Sequence, residues 1–325
     1  MPELSTVHAL NAALRHCLRR DPRTLVFGED VGRLGGVFRV TDGLQAEFGE
    51  ARVFDTPLAE SAIVGIAIGL AMAGWRPVPE IQFDGFSYPA LDQVLTNLAK
   101  YRGRSRGAYD MAVTLRLPSF GGIGGPEHHS ESPETLYAHT AGLKVVAPSG
   151  PQEAFHLLVQ AIEDPDPVIF LEPKSRYWAR EAVALAPSDL PVGRARVVRR
   201  GESATLVAWG GMVQRCLEVA DAAEEDGVSL EVLDLRWLVP LDDESLIESV
   251  ARTGRAVVVH EAPLTAGFGA EVSARLMEAA FADLRAPVMR VTGWDVPYPA
   301  ASAEHDYLPS VDRVLLAVQR VLDHG

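Results

Sequence analysis

Short apolar runs rich in β-branched residues alternate with longer segments of helical periodicity along almost the whole of this sequence. That rhythm constrains the fold more than composition does. A strand that returns parallel to its predecessor needs a crossover, usually a helix, to bring the chain back. Thr24–Phe27, Val78–Phe83, Val113–Leu117, Leu143–Ala147 and Val168–Leu171 read as strands. Thr6–Arg19, Ser61–Ala73, Pro89–Tyr101 and Gln152–Ile162 read as the helices between them.

A polar stretch from Ala182 to Arg194, with Pro187 and Pro191, interrupts the rhythm. Beyond it strands are expected at Ala204–Trp209, Leu230–Leu235, Ala256–His260 and Val288–Val291. Helices are expected over Val213–Glu225, Asp243–Ala251, Ala270–Ala282 and Val311–Leu322. A chain of 325 residues is long for one α/β unit, so the reading is a two-domain α/β protein, residues 1–185 and 186–325.

Composition removes several classes of function. A formal charge of −14 argues against a nucleic-acid partner. The longest uncharged stretch, Ser61–Trp75, is shorter than the ~20 residues a bilayer requires, so it reads as a buried helix and no membrane association is expected. Met1-Pro2-Glu3-Leu4 shows no secretory pattern, and Cys17 and Cys216 are too few for a disulfide framework; the expected location is cytoplasmic. Three lysines, Lys100, Lys144 and Lys174, leave few candidates for Schiff-base chemistry.

Four segments could carry chemistry. Glu60 stands where a loop enters the apolar Ser61–Ala73 helix. It is either a helix-start carboxylate held by free backbone N–H groups or a proton-transferring carboxylate in a water-poor pocket. Glu127-His128-His129-Ser130-Glu131 is a solvated loop, a metal site, or an active-site lip on which one histidine moves protons. Ser119–Pro126 is glycine-rich but has neither P-loop nor dinucleotide spacing, so it reads as a flexible loop presenting the histidines. Gly65 and Gly69, four apart on a helix apolar all round, suit core packing or a subunit seam.

The motifs Phe27-Gly28-Glu29-Asp30-Val31, Asp55-Thr56-Pro57 with Glu60, Glu80-Ile81-Gln82-Phe83, Asp92-Gln93, His129-Ser130-Glu131-Ser132-Pro133-Glu134, Gly142-Leu143-Lys144-Val145-Val146 and His260-Glu261-Ala262-Pro263 together resemble one family. It is the β subunit of the thiamine-diphosphate-dependent 2-oxoacid dehydrogenases, and the resemblance covers nearly the whole chain. Within it, the His129–Glu134 stretch, Phe170-Leu171-Glu172-Pro173-Lys174 and Glu261-Ala262-Pro263-Leu264-Thr265 look most like the branched-chain enzymes. Pyruvate and acetoin relatives are the alternative, and Phe86 matches the pyruvate members at the aromatic that packs on the cofactor pyrimidine.

The resemblance implies a pyrimidine-binding α/β domain followed by a transketolase C-terminal-type domain. It implies an α2β2 assembly whose α subunit holds the diphosphate and Mg²⁺ of thiamine diphosphate; this sequence lacks the G-D-G and asparagine metal motif. Glu60 would bond the pyrimidine nitrogen, Leu58 and Phe86 would contact the cofactor, and His129 would serve reductive acylation of a lipoyl domain. A structural K⁺ would be held by carbonyls at Thr114, Ala161, Asp164 and Asp166. The C-terminal domain would dock the peripheral-subunit-binding domain of the dihydrolipoyl acyltransferase, and the balance of −8 over residues 190–325 favours a basic partner. Two rivals are a self-sufficient transketolase-like enzyme, which would carry the diphosphate domain in the same chain, and a non-catalytic scaffold, which need not keep Glu60, Phe86 and His129.

Overall fold

The computed structural model describes residues 1–324. The first half contributes strands β1 (Glu3–Ser5), β2 (Thr24–Gly28), β3 (Val53–Asp55), β4 (Arg76–Glu80), β5 (Thr114–Ser119), β6 (Lys144–Val146), β7 (Val168–Pro173) and β8 (Arg180–Ala182). The second contributes β9 (Arg196–Arg199), β10 (Ala204–Ala208), β11 (Leu230–Asp234), β12 (Trp237–Val239), β13 (Ala256–Pro263) and β14 (Met289–Gly293). A seven-stranded sheet runs β12-β6-β7-β5-β4-β2-β3, and a five-stranded sheet runs β14-β13-β10-β11-β9. The pairings are parallel except at β12 and β9, and β1 and β8 form a separate antiparallel pair.

Helices cover both faces of the large sheet, as parallel strands require. Thr6–Arg20 starts where the Ser5 hydroxyl accepts the His8 N–H, and its apolar stripe packs with helix Pro151–Glu163. Leu10, Leu14, Phe155 and Leu158 meet Val26, Val146 and Phe170 there. Each fully buried side chain of this size contributes about 1.5–3 kcal/mol. On the other face Ile63, Val64 and Ala67 join a cluster that continues into Trp209, Leu233 and Phe268, so the two halves share one core.

The structure departs from the expected pattern in three places. Helix Glu60–Met72 is not buried all round: Ile63, Val64, Ala67, Ile68 and Ala71 face the core, while Ile66 is 48% exposed and a β-carbon on Gly69 would meet nothing within 4 Å. Uniform apolarity hid which face was open. The segment expected as one helix over Pro89–Tyr101 is instead a 3₁₀ stretch Asp84–Ala90, a π-helical stretch Gln93–Leu98 and a short α-helix Ala99–Arg104, with Pro89 inside the first. The strand expected to reach Phe83 leaves the sheet at Glu80, freeing Phe83 and Phe86 for the loop region. Among the described residues no helix is long and apolar enough to cross a membrane.

One connection was not visible in the pattern. After β11 the chain crosses back, and β12 pairs antiparallel with β6 at the edge of the large sheet. The second half thus completes the first half's sheet.

Candidate active site

Ligands of open parallel sheets bind beyond the carboxyl ends of the strands. Here β2 leads to Glu29, β3 to Leu58 and Glu60, β4 to Phe83 and Phe86, and β5 to the glycine-rich loop and His129. Four strand ends therefore bring the sequence candidates to one edge.

Glu127–His129 is a single 3₁₀ turn. Glu127 and His128 are exposed, whereas His129 is half-buried, its ring 4.1 Å from Phe83 and 5.2 Å from Phe86 between centroids. Its Nδ1 is buried without a hydrogen-bond partner. Burial, with help from His128 and Lys174, holds the imidazole below its ordinary range. The backbone of Gly85 lies directly beneath the turn, where a β-carbon would come within 2.5 Å of the His128 carbonyl.

Below that contact Lys174 donates to Asp84 at 2.6 Å, and both side chains are fully buried. Asp84 also accepts the N–H groups of Gly85 at 2.8 Å and Glu131 at 3.1 Å. Burial pushes its carboxyl up to about 6 despite the lysine, and burial likewise lowers Lys174. Through Glu131 the pair ties the C-terminal side of the histidine turn to the end of β7.

Glu60 opens its helix after Ala59, which offers no side-chain cap. It borders an open cleft of about 510 Å³ with Ala59, Ser61, Gly65, Pro89 and Gln93. The water-poor pocket expected around it is not built by this chain alone: Glu60 is half-exposed and Leu58 is 78% exposed. Buried Glu29 stands close enough that, after burial, the Glu60 charge is what raises its carboxyl further.

Thr114, Ala161, Asp164 and Asp166 do gather, at the opposite end of the strands. The Thr114 hydroxyl donates to the Ala161 carbonyl at 3.0 Å, and Arg76 donates to the Asp164 carbonyl at 3.3 Å. Lys144 bonds both Asp164 oxygens at 2.7 and 2.8 Å, and Arg102 bonds Asp166 at 2.6 Å. Two of the four expected carbonyls, those of Ala161 and Asp164, thus already accept donors, whereas Lys144 and Arg102 bond only the aspartate side chains. Among the described residues no group of three or more His, Cys, Asp or Glu side chains is placed to hold a metal ion.

The sequence reading missed several buried ionisable groups around the site. Arg116 bonds Glu80 and Glu172 within the sheet, both at 2.6 Å, and Tyr177, beyond the end of β7, donates to Glu172 at 2.7 Å. Glu134 is fully buried; burial first, then the Glu261 charge, pushes its carboxyl up to about 8. The folded state therefore keeps a proton that the unfolded chain releases near 4.5. Its stabilising contribution is complete below that value and is lost as pH rises through about 8. Glu134→Gln should flatten this decline, gaining on the parent by roughly 1 kcal/mol per pH unit between those limits. Urea unfolding at pH 5 and pH 8 checks it, and equal slopes for the two proteins would contradict it.

The transketolase pyrimidine-binding domain model matches residues 2–178, and the transketolase C-terminal domain model matches residues 193–314. A split-gene transketolase, described as an inactive beta4 tetramer, superposes with a TM-score of 0.81 over 99% of both chains at 24% identity, which shows the fold. These define a transketolase-like, thiamine-diphosphate-dependent enzyme with two α/β domains. Over 98% of its length the chain is 56% identical to the 3-methyl-2-oxobutanoate dehydrogenase subunit beta of Mycobacterium tuberculosis, covering 92% of that protein. It is 54% identical to the pyruvate dehydrogenase E1 component subunit beta of Leifsonia xyli, covering 98% of this chain and 95% of that one. The chain belongs to the β subunits of the 2-oxoacid dehydrogenases.

Proposed function

We propose that this chain is the β subunit of a branched-chain 2-oxoacid dehydrogenase, which oxidatively decarboxylates 3-methyl-2-oxobutanoate and its homologues and acylates lipoyl domains. One observation carries the choice: the three stretches that resemble the branched-chain enzymes meet at the histidine loop. Lys174 reaches Asp84, Glu131 gives its N–H to Asp84, and Glu261 accepts the Gly121 N–H. The Mycobacterium tuberculosis relative supports the same reading.

The residues present fit thiamine diphosphate, since the orphaned His129 nitrogen, the Phe83 and Phe86 rings and Glu60 stand at one sheet edge. Bound there, the cofactor supplies the electron sink for decarboxylation. Glu60 would hold a proton at the pyrimidine nitrogen, Leu58 and Phe86 would pack on the cofactor, and His129 would give a proton to the lipoyl dithiolane. An α subunit in an α2β2 assembly would cover Leu58 and Glu60 and hold the diphosphate and Mg²⁺. The acyltransferase would dock on the acidic second domain.

His129→Ala should lower lipoyl-domain acylation by about 10²-fold while sparing decarboxylation measured with an artificial electron acceptor. Equal losses in the two assays would return His129 to a packing role. A pyruvate dehydrogenase is the second reading, favoured by the Leifsonia xyli relative and by Phe86. Reconstitution with the α subunit and comparison of kcat/KM on 3-methyl-2-oxobutanoate, 4-methyl-2-oxopentanoate and pyruvate tests the choice. A preference for pyruvate overturns the branched-chain assignment.

A further inference from the structure

The glycine-rich loop after β5 gives its backbone N–H groups to carboxylates of the second domain. Gly121 N–H donates to Glu261 Oε2 at 2.9 Å. Gly122 N–H donates to Glu304 Oε1 at 3.0 Å, and Gly124 N–H donates to both Glu304 oxygens at 3.1 Å. The Tyr298 hydroxyl lies 3.2 Å from the Gly122 nitrogen and donates to Glu304 Oε1 at 2.8 Å. Successive N–H groups of this kind form a concavity for an anion. Here the protein's own Glu304 fills it. The fit depends on glycine, because a β-carbon on Gly121 would come within 1.9 Å of the Tyr298 hydroxyl.

The loop is closed at its base by Phe120 N–H to the Glu131 carbonyl at 2.9 Å, and His129 N–H returns to the Pro126 carbonyl at 2.9 Å. Between these ties, the crown from Ile123 to His128 is largely exposed. Glu261 holds the foot of its ascending limb at Gly121 and Glu304 holds Gly122 and Gly124 above it, and a hydrogen bond to a charged acceptor is roughly twice as strong as a neutral one.

We propose that Glu304 is a positioning residue: from the second domain its carboxylate clamps Gly122 and Gly124 and so holds His129 against Phe83 and Phe86. The inference rests on the reading of His129 as the acyl-transfer residue. It extends the site to the C-terminal domain, 182 residues along the chain from Gly122.

The test uses the assembled α/β enzyme with Glu304→Ala, Glu304→Gln and Tyr298→Phe. Amide hydrogen exchange over residues 119–130 reads the clamp directly, without turnover. Glu304→Ala should speed exchange there about tenfold or more and lower the ratio of lipoyl acylation to decarboxylation about tenfold, as small misplacements of a reacting group do. Glu304→Gln, which keeps shape and one acceptor oxygen, should fall between; it also decides the matter if the alanine variant fails to fold. Tyr298→Phe should move both readouts in the same direction, less far. Unchanged exchange in Glu304→Gln and Glu304→Ala overturns the clamp, and faster exchange with an unchanged ratio overturns the positioning of His129. His129→Ala, run beside them, identifies failure of the acyl-transfer reading by itself, in which case exchange alone decides the clamp.

Discussion

Glu60→Gln should leave the assembled enzyme able to bind thiamine diphosphate while turnover falls by about 10²-fold or more. Glutamine keeps the size and part of the hydrogen bonding of the carboxylate but cannot hand over its proton. The carboxylate stands half-exposed at the start of its helix, where glutamine fits the same space. Deuterium exchange at the thiazolium carbon should slow in parallel with turnover. Normal exchange with near-normal turnover would make Glu60 a helix-start carboxylate and nothing more.

The largest loss of stability is expected from Arg116→Met. Its guanidinium sits between Glu80 and Glu172 with no exposed surface on itself or on Glu172. Burial opposes its charge, but the two carboxylates hold it protonated. Removing one partner of a buried ion group leaves uncompensated charge, which typically costs about 3–5 kcal/mol. Burial already raises the Glu80 carboxyl, and without Arg116 it should rise further. The variant should therefore lose most at neutral pH and recover part of the loss on acidification, where the freed Glu80 carboxylate takes up a proton. Urea titrations at pH 5 and 7 check both parts. A loss below about 1 kcal/mol at pH 7 would mean that the cluster repacks or admits water.

Periodicity made the long elements legible. Val168–Leu171 and Val311–Leu322 stand almost as read, because a buried parallel strand leaves a short continuous apolar run and an amphipathic helix a clear repeat. Where the repeat is uniform it carries no direction, and Glu60–Met72 showed its open face only in three dimensions. Segments shorter than one repeat, such as β3 and β12, had nothing to read. Local segments pointed to Glu60 and His129 and the family resemblance to Leu58 and Phe86, and the fold brings all four to one edge of the sheet. The supporting carboxylates were not legible as such: Asp84 meets Lys174 across 90 positions and Glu261 meets Gly121 across 140, and no local pattern records such pairings.

The return of β12 to β6 gives the chain a particular order of completion. During synthesis the large sheet presents β6 as a bare edge until Trp237–Val239 has left the ribosome, and an uncovered edge invites pairing with other chains. A fragment ending at residue 185 would consequently lack the strand that covers β6.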